Sequence, residues 1–229
     1  KFSDYEQYME ECEKKKSELE KTLDKLCGKL TRIRKKAARS LEEAITSALA
    51  ELNFDKARFL VSMEPLGKYS PKGADAVEFL VATNPGADLY PLGKVASGGE
   101  LSRIMLAIKS VFADTDHIET LIFDEIDTGI SGRTAWRVSE QLDSVAAAHQ
   151  VICITHLPQI AAMADRHFVI EKSSTQDNTI TDIRVLDSQE SLGELARLLG
   201  SDALTEGALS NAREMRAQAM EHKGKNGEA

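Results

Sequence analysis

Three short polar runs have residue types suited to phosphate chemistry. In Ser97-Gly98-Gly99-Glu100, a serine stands where a helix N-cap belongs and two glycines follow. Without Cβ atoms, their backbone N–H groups can approach an anion closely, and the following helix adds a favourable field for phosphate. In Thr120-Leu121-Ile122-Phe123-Asp124-Glu125, two acids directly end an apolar run. Asp124 suits Mg²⁺, usually met through water, and Glu125 suits polarising an attacking water. Successive strand residues point to opposite faces, so the strand must end near Asp124 if both acids are to serve one site. In Val151-Ile152-Cys153-Ile154-Thr155-His156, a polar pair ends a second apolar run. His156 is suited to hydrogen-bonding a γ-phosphate or orienting water.

Each run alone has a plain structural reading: a capped helix after a glycine turn, a pair of solvated acids, a structural histidine. Their order weighs against that. A glycine loop, an acidic strand end and a histidine strand end follow one another with a helix between each pair. In a parallel sheet all three would open onto one rim, where α/β proteins bind ligands.

The elements that must place these groups are legible around them. Leu101–Ala113 and Arg133–Ala148 read as helices, and Thr120–Phe123 and Val151–Ile154 as buried strands; together they suggest a βαβ unit in a parallel sheet. Leu157–Ala164 reads as a short helix, His167–Ile170 as a third strand and Ile180–Leu186 as an edge strand, with closing helices over Ser191–Leu199 and Ala203–Met220. Upstream, Ala57–Met63 and Ala76–Ala82 read as strands of a hairpin or small antiparallel sheet, with Pro65–Gly73 as their connection. Before residue 51 the period is different. Leu19, Leu23, Leu26, Leu30, Ile33 and Ala37 recur at steps of four and three, the heptad seam of a coiled coil, which requires a partner helix. A helix over 4–50 would be about 70 Å long at roughly 1.5 Å per residue. Gly28 is a candidate break in it. The basic cluster Arg32, Arg34, Lys35, Lys36 and Arg39 is either a DNA-phosphate contact or a helix face paired with acids. The expected organisation is an arm over 1–50, a globular part over 51–221 and a disordered tail over 222–229.

The bulk properties narrow the classes. A net charge of −8 does not mark a general nucleic-acid binder, so any DNA contact is local. Three scattered cysteines, Cys12, Cys27 and Cys153, make no disulfide framework, and a reducing cytoplasm is the default. The five histidines share no metal-ligand spacing with them. No apolar run is long enough to cross a membrane.

Taken together, the runs Val95–Arg103, Phe123–Gly132 and Ile154–Ile160 resemble the C-terminal half of an ABC ATPase head of the SMC-like class. Within that class they are most similar to the RecN family of bacterial DNA-repair proteins. The resemblance covers nearly the whole chain, arm included. It implies an α/β fold, the C-terminal lobe of an ABC-type head with a RecA-like parallel sheet preceded by a coiled-coil helix. It implies ATP and Mg²⁺ as ligands, with Ser97, Gly98 and Gly99 at the γ-phosphate of ATP held by the opposing head and Glu100 in the same signature loop. Asp124 would assist Mg²⁺, Glu125 would be the catalytic base and His156 the switch histidine. The loop after Glu125, with Ser131, would cross the dimer interface. Two residues depart from the common pattern: Ala96 replaces the usual leucine and Ser131 a frequent aspartate. The sequence has no G-x-x-x-x-G-K-[ST]; Gly67-Lys68 and Gly93-Lys94 lack both the upstream glycine and the following Ser or Thr. A Walker A segment must therefore come from an N-terminal half, and this chain alone is expected to be inactive. The implied partners are that half, a second head in an ATP-bound homodimer, and DNA, without a membrane. The implied setting is double-strand break repair and recombination in the cytoplasm, at the nucleoid. The alternative is a coiled-coil scaffold or tether with a degenerate, non-hydrolysing head.

Overall fold

A computed structural model describes residues 2–95, 97–113, 115, 117–174, 179–200 and 205–226. The departing Ala96, the start of the expected last helix at Ala203 and residues 227–229 of the expected tail lie outside these. The chain divides into two compact units, Lys1–Ser47 with Lys56–Lys94, and Ala48–Asp55 with Val95–Ala229.

In the first unit, helix α1 (Phe2–Glu51, which continues into the second unit) runs unbroken through Gly28. No Cβ contact or positive φ is required at Gly28, so its cost is only conformational and the flanking helix formers outweigh it. Strands β1 (Arg58–Ser70) and β2 (Gly73–Ala82) pair antiparallel, and β3 (Tyr90–Pro91) adds to β2. The expected connection Pro65–Gly73 is mostly strand; the hairpin turns only at Pro71-Lys72, and Pro65 marks where the register shifts. The hairpin packs along α1. Val61 N–H donates to Glu42 Oε1 at 2.8 Å, Tyr69 OH to Asp24 at 2.7 Å, and Thr31 and Arg34 both bond Asp75, at 2.7 and 3.0 Å. These ties hold Asp75 below the ordinary carboxylate range, the Thr31 hydroxyl most of all. Arg34, a member of the basic cluster, is therefore engaged within its own unit. Leu30 of the heptad seam lies against Gly73 of the hairpin, whereas Leu26 and Ile33 face elsewhere, each 58% exposed.

In the second unit, α1 ends on Asn53 in the left-handed region at φ 69°, with Phe54 N–H returning to Leu49 O at 3.0 Å. Helix α2 (Gly98–Phe112) follows the glycine loop, then β4 (Thr120–Phe123), α3 (Gly132–Ala146) and β5 (Gln150–Cys153). Strands β4 and β5 pair parallel, Thr120 with Gln150 through Phe123 with Cys153, as the βαβ reading requires. One side of this pair carries buried Leu121 and Phe123; on the other, Ile122 is 68% exposed, alongside exposed Ile152 and Ile154.

After the short helix α4 (Pro158–Met163), β6 (Phe168–Ser174) and β7 (Thr179–Val185) form their own antiparallel ribbon. They are not the third and edge strands of the β4–β5 sheet that the sequence suggests. Among the described residues, β6 hydrogen-bonds as a strand only with β7, the partner that a short connection favours. Helix α5 (Ser188–Leu198) starts in a capping box between Asp187 and Glu190. Helix α6 (Glu206–Asn226) continues past the expected start of a tail at His222. Lys223 explains the extension: its ammonium reaches Asp143 at 2.9 Å and Asp165 at 2.6 Å, tying the last turns to α3 and to the end of α4. Ala161, Ala162, Met163, Leu195, Ala196, Ala212 and Ala219 form the core between α4, α5 and α6.

His167 sits beside this core, its Nδ1 2.9 Å from Ser191 Oγ. Burial pushes the imidazole below its ordinary 6.5, Arg216 acts in the same direction and Glu194 opposes them. Below about pH 6.5 the unfolded chain takes up a proton that the folded chain resists, so stability must fall as the solution is acidified. Urea midpoints at pH 7 and pH 5 should show this loss, and His167→Gln should reduce the difference. An unchanged difference in that variant would assign the acid sensitivity to other groups.

Candidate active site

The three polar runs meet at the carboxyl edge of β4 and β5. Ser97 caps α2, its Oγ accepting from Glu100 N–H at 3.4 Å. The amides of Gly98 and Gly99 occupy the first helical turn, where backbone donors have no intrahelical partner. Strand β4 stops at Phe123, so Asp124 and Glu125 leave the strand alternation, and both are exposed. Glu125 adopts φ 57°, a left-handed conformation unusual for a residue with a side chain.

The surrounding bonds explain how that conformation is held. Ser102 Oγ donates to Asp124 O at 2.8 Å, Thr128 N–H to Glu125 O at 3.0 Å, and Asp124 Oδ1 accepts from Glu125 N–H at 2.9 Å. Arg103, only 7% exposed, donates through Nη1 to Ile126 O at 3.2 Å and Thr128 O at 2.8 Å. The second turn of α2 is thus pinned to the loop that follows β4.

That loop also reaches β5. Asp127 is buried, and its Oδ2 accepts from Thr155 Oγ1 at 2.6 Å and from His156 N–H at 2.8 Å. His156 Nδ1 lies 2.9 Å from the same oxygen. The ring itself is 71% exposed. Ser97, Gly98, Gly99, Asp124, Glu125 and His156 are therefore placed on one connected edge. Glu100 lies in the first turn of α2. Ser131 is the exposed N-cap residue of α3 and makes no capping bond. Burial, reinforced by Asp127 and Asp124, pushes the thiol of Cys153, beneath the edge, up to about 12, which favours its protonated form.

Asp127 and Arg103 are the two residues that sequence reasoning did not single out. Asp127 reads as one more acid in an acidic turn. Its signal is tertiary: in-register pairing of Phe123 with Cys153 brings the residues after each strand together.

The two glycines differ in what they make room for. A Cβ on Gly98 would overlap only the Glu125 carboxylate, a mobile group. On Gly99 it would lie 2.9 Å from Glu125 O and from Thr128 Cβ, and 3.1 Å from Thr128 O. Gly99→Ala must displace backbone, at a cost of about 1–3 kcal/mol. Gly98→Ala should unfold at the wild-type temperature while turning the Glu125 side chain away. Thermal denaturation of the pair distinguishes them; equal melting temperatures would contradict this packing.

Among the described residues, no cluster of three or more His, Cys, Asp or Glu side chains could hold a metal ion, and no helix is long and apolar enough to cross a membrane. The donor set nevertheless suits Mg²⁺, which keeps several waters and needs only one or two carboxylates when a nucleotide supplies the rest. Asp124 is an exposed carboxylate directly after β4.

The chain shares its fold with SMC ATPase heads. A crystal structure of the Smc head domain with a coiled coil and joint from Pyrococcus yayanosii aligns with 72% of this chain and 30% of that one, at TM-score 0.51 and 20% identity. Sequence similarity is more specific. DNA repair protein RecN of Halalkalibacterium halodurans is 42% identical over 190 residues, and that of Vibrio cholerae 43% over 188 residues, covering 81% and 82% of this chain. No family model matches. The chain belongs to the RecN family, as a C-terminal portion, and spans about a third of the length of these relatives (34%).

Proposed function

We propose that this chain is the part of a DNA-repair ATPase head that carries the signature loop, the Walker B acids and the switch histidine. The observation that carries the proposal is the connected edge from Ser97 through Glu125 to His156. In this reading, Ser97 and the amides of Gly98 and Gly99 face the γ-phosphate of a nucleotide on a second head. Asp124 would hold Mg²⁺, and the ion would supply charge neutralisation at the phosphates. Glu125 takes a proton from the attacking water, and His156 orients that water or contacts phosphate. Ser131 and its loop lie at the interface between heads. ATP joins the two heads and hydrolysis parts them, which moves the arms and the DNA they hold or tether at the nucleoid.

The exposed side of the β4–β5 pair supports a missing complementary part. Parallel strands are ordinarily covered on both faces, and Ile122, Ile152 and Ile154 await such a cover. A segment bearing Walker A would cover them and hold the phosphates. The exposed seam through Leu19, Leu23, Leu26 and Ile33 would likewise take the outgoing helix of an antiparallel arm.

Reconstitution tests the reading. This chain and a complementary Walker A half should each be inactive, and their mixture should hydrolyse ATP with Mg²⁺. DNA should stimulate that turnover. A complete protein that binds DNA but never turns over ATP would be the non-hydrolysing scaffold instead.

A further inference from the structure

We infer that Asp127 is the residue that positions His156, and that it does so by holding the imidazole with Nε2 turned outward. The inference rests on the ATPase reading above for its consequence, but not for its geometry. Asp127 is 4% exposed, and one carboxylate oxygen makes three contacts with the end of β5: it accepts from the Thr155 hydroxyl and the His156 backbone N–H, and it lies 2.9 Å from the His156 ring at Nδ1. Two of these would suffice to fasten the 155–156 segment to the loop. The third serves only the ring, which is otherwise mostly in solvent and contributes little by burial.

A carboxylate at Nδ1 requires the ring proton there, so a neutral ring has its free lone pair on Nε2. That atom can accept from a water, and in the doubly protonated ring it can donate to a phosphate oxygen. Without Asp127 the ring would rotate freely, and the neutral form would favour its proton on Nε2, presenting a donor instead of an acceptor. The platform is rigid for identifiable reasons. Ile126, beside Asp127, is fully buried, and Arg103 bonds the carbonyls of residues 126 and 128. The Thr155 hydroxyl is fixed in turn by Leu157 N–H at 3.0 Å. Asp127 also lies two residues beyond Glu125, so one loop carries the proposed base and the group that orients the histidine. The strands' carboxyl ends are thereby joined into one unit.

Two measurements test this. In the full chain with ¹⁵N-labelled histidine, NMR should show the neutral His156 ring protonated on Nδ1. Asp127→Ala should shift it to the Nε2–H form, whereas Asp127→Asn, whose amide oxygen still accepts from Nδ1–H, should keep the wild-type form. In the complete protein, Walker A segment included, Asp127→Ala should lower kcat for ATP at least 30-fold with KM within threefold, and Asp127→Asn should retain kcat within tenfold. An Asp127→Ala ring that keeps the wild-type tautomer, or an Asp127→Ala protein that keeps wild-type kcat, overturns the inference. So does Asp127→Asn with a wild-type ring but the activity of the alanine variant, since orientation would then not be what sustains turnover. If Asp127→Ala fails to fold, the asparagine variant still decides on both measurements. A wild-type complete protein with no ATP turnover would defeat the ATPase reading, and the tautomer measurement would still judge Asp127.

Discussion

Glu125→Gln in the complete protein should reduce ATP turnover by roughly 10²–10⁴-fold, the range a positioned general base contributes. The amide has the size and shape of the carboxylate but cannot take a proton from water. The fold should be indifferent to the change. The loop is held at residue 125 through main-chain atoms, with Thr128 N–H on Glu125 O and Gly99 packed against that same oxygen. The side chain is exposed and lies against Gly98, where an amide fits as well as a carboxylate. Nucleotide-driven head association should therefore survive and persist, because ATP is bound without being consumed. Phosphate release measures the first effect and sedimentation with ATP the second. Turnover within tenfold of wild type would remove Glu125 from the proposed role and leave the site without a base.

Arg103→Ala should be the most damaging stability change in the site, by roughly 2–4 kcal/mol, given what charged hydrogen bonds and buried side chains are worth. The guanidinium lies over the Phe54 ring, 5.4 Å from its centroid, and donates to the carbonyls of Ile126 and Thr128. Its removal leaves a void beside Phe54 and two carbonyls without their donor. For a chain of this size the melting temperature should fall by about 5–15 °C. Arg103→Lys should recover only part of that, since an ammonium cannot both stack flat on the ring and reach two carbonyls. Because the same loop carries Glu125 and Asp127, a complete protein with Arg103→Ala should also lose activity below its melting temperature. A melting temperature within about 1 °C of wild type would show that the loop does not depend on this clamp.

The sequence by itself determined the local elements and the chemistry at their ends. The heptad spacing of Leu19 to Ala37 marks a long helix, and α1 is one. The apolar runs before Asp124 and Thr155 mark two strands joined by a helix, and β4 and β5 pair in parallel as that connection demands; their expected burial holds on one side of β4 only, since Ile122, Ile152 and Ile154 are exposed. Ser97 before two glycines marks a helix start, and Ser97 caps α2. These are legible because hydrophobic period and capping act within a few residues. What the tertiary structure decided are relations between residues far apart in the chain. β6 reads as a strand, but only pairing geometry makes β7 its partner and separates the ribbon from the β4–β5 sheet. The helical character of His222–Asn226 rests on Lys223 finding Asp143 and Asp165, 80 and 58 residues earlier. Asp127 is one acid among several in the sequence; its distinction comes from the level ends of two paired strands, which place it against His156. The left-handed turn at Glu125 has no signature in its residue type, and it exists because Ser102, Arg103 and Gly99 hold the loop from outside. Local pattern names the groups that can do chemistry, whereas their mutual orientation depends on long-range contacts whose energies no short window of sequence contains.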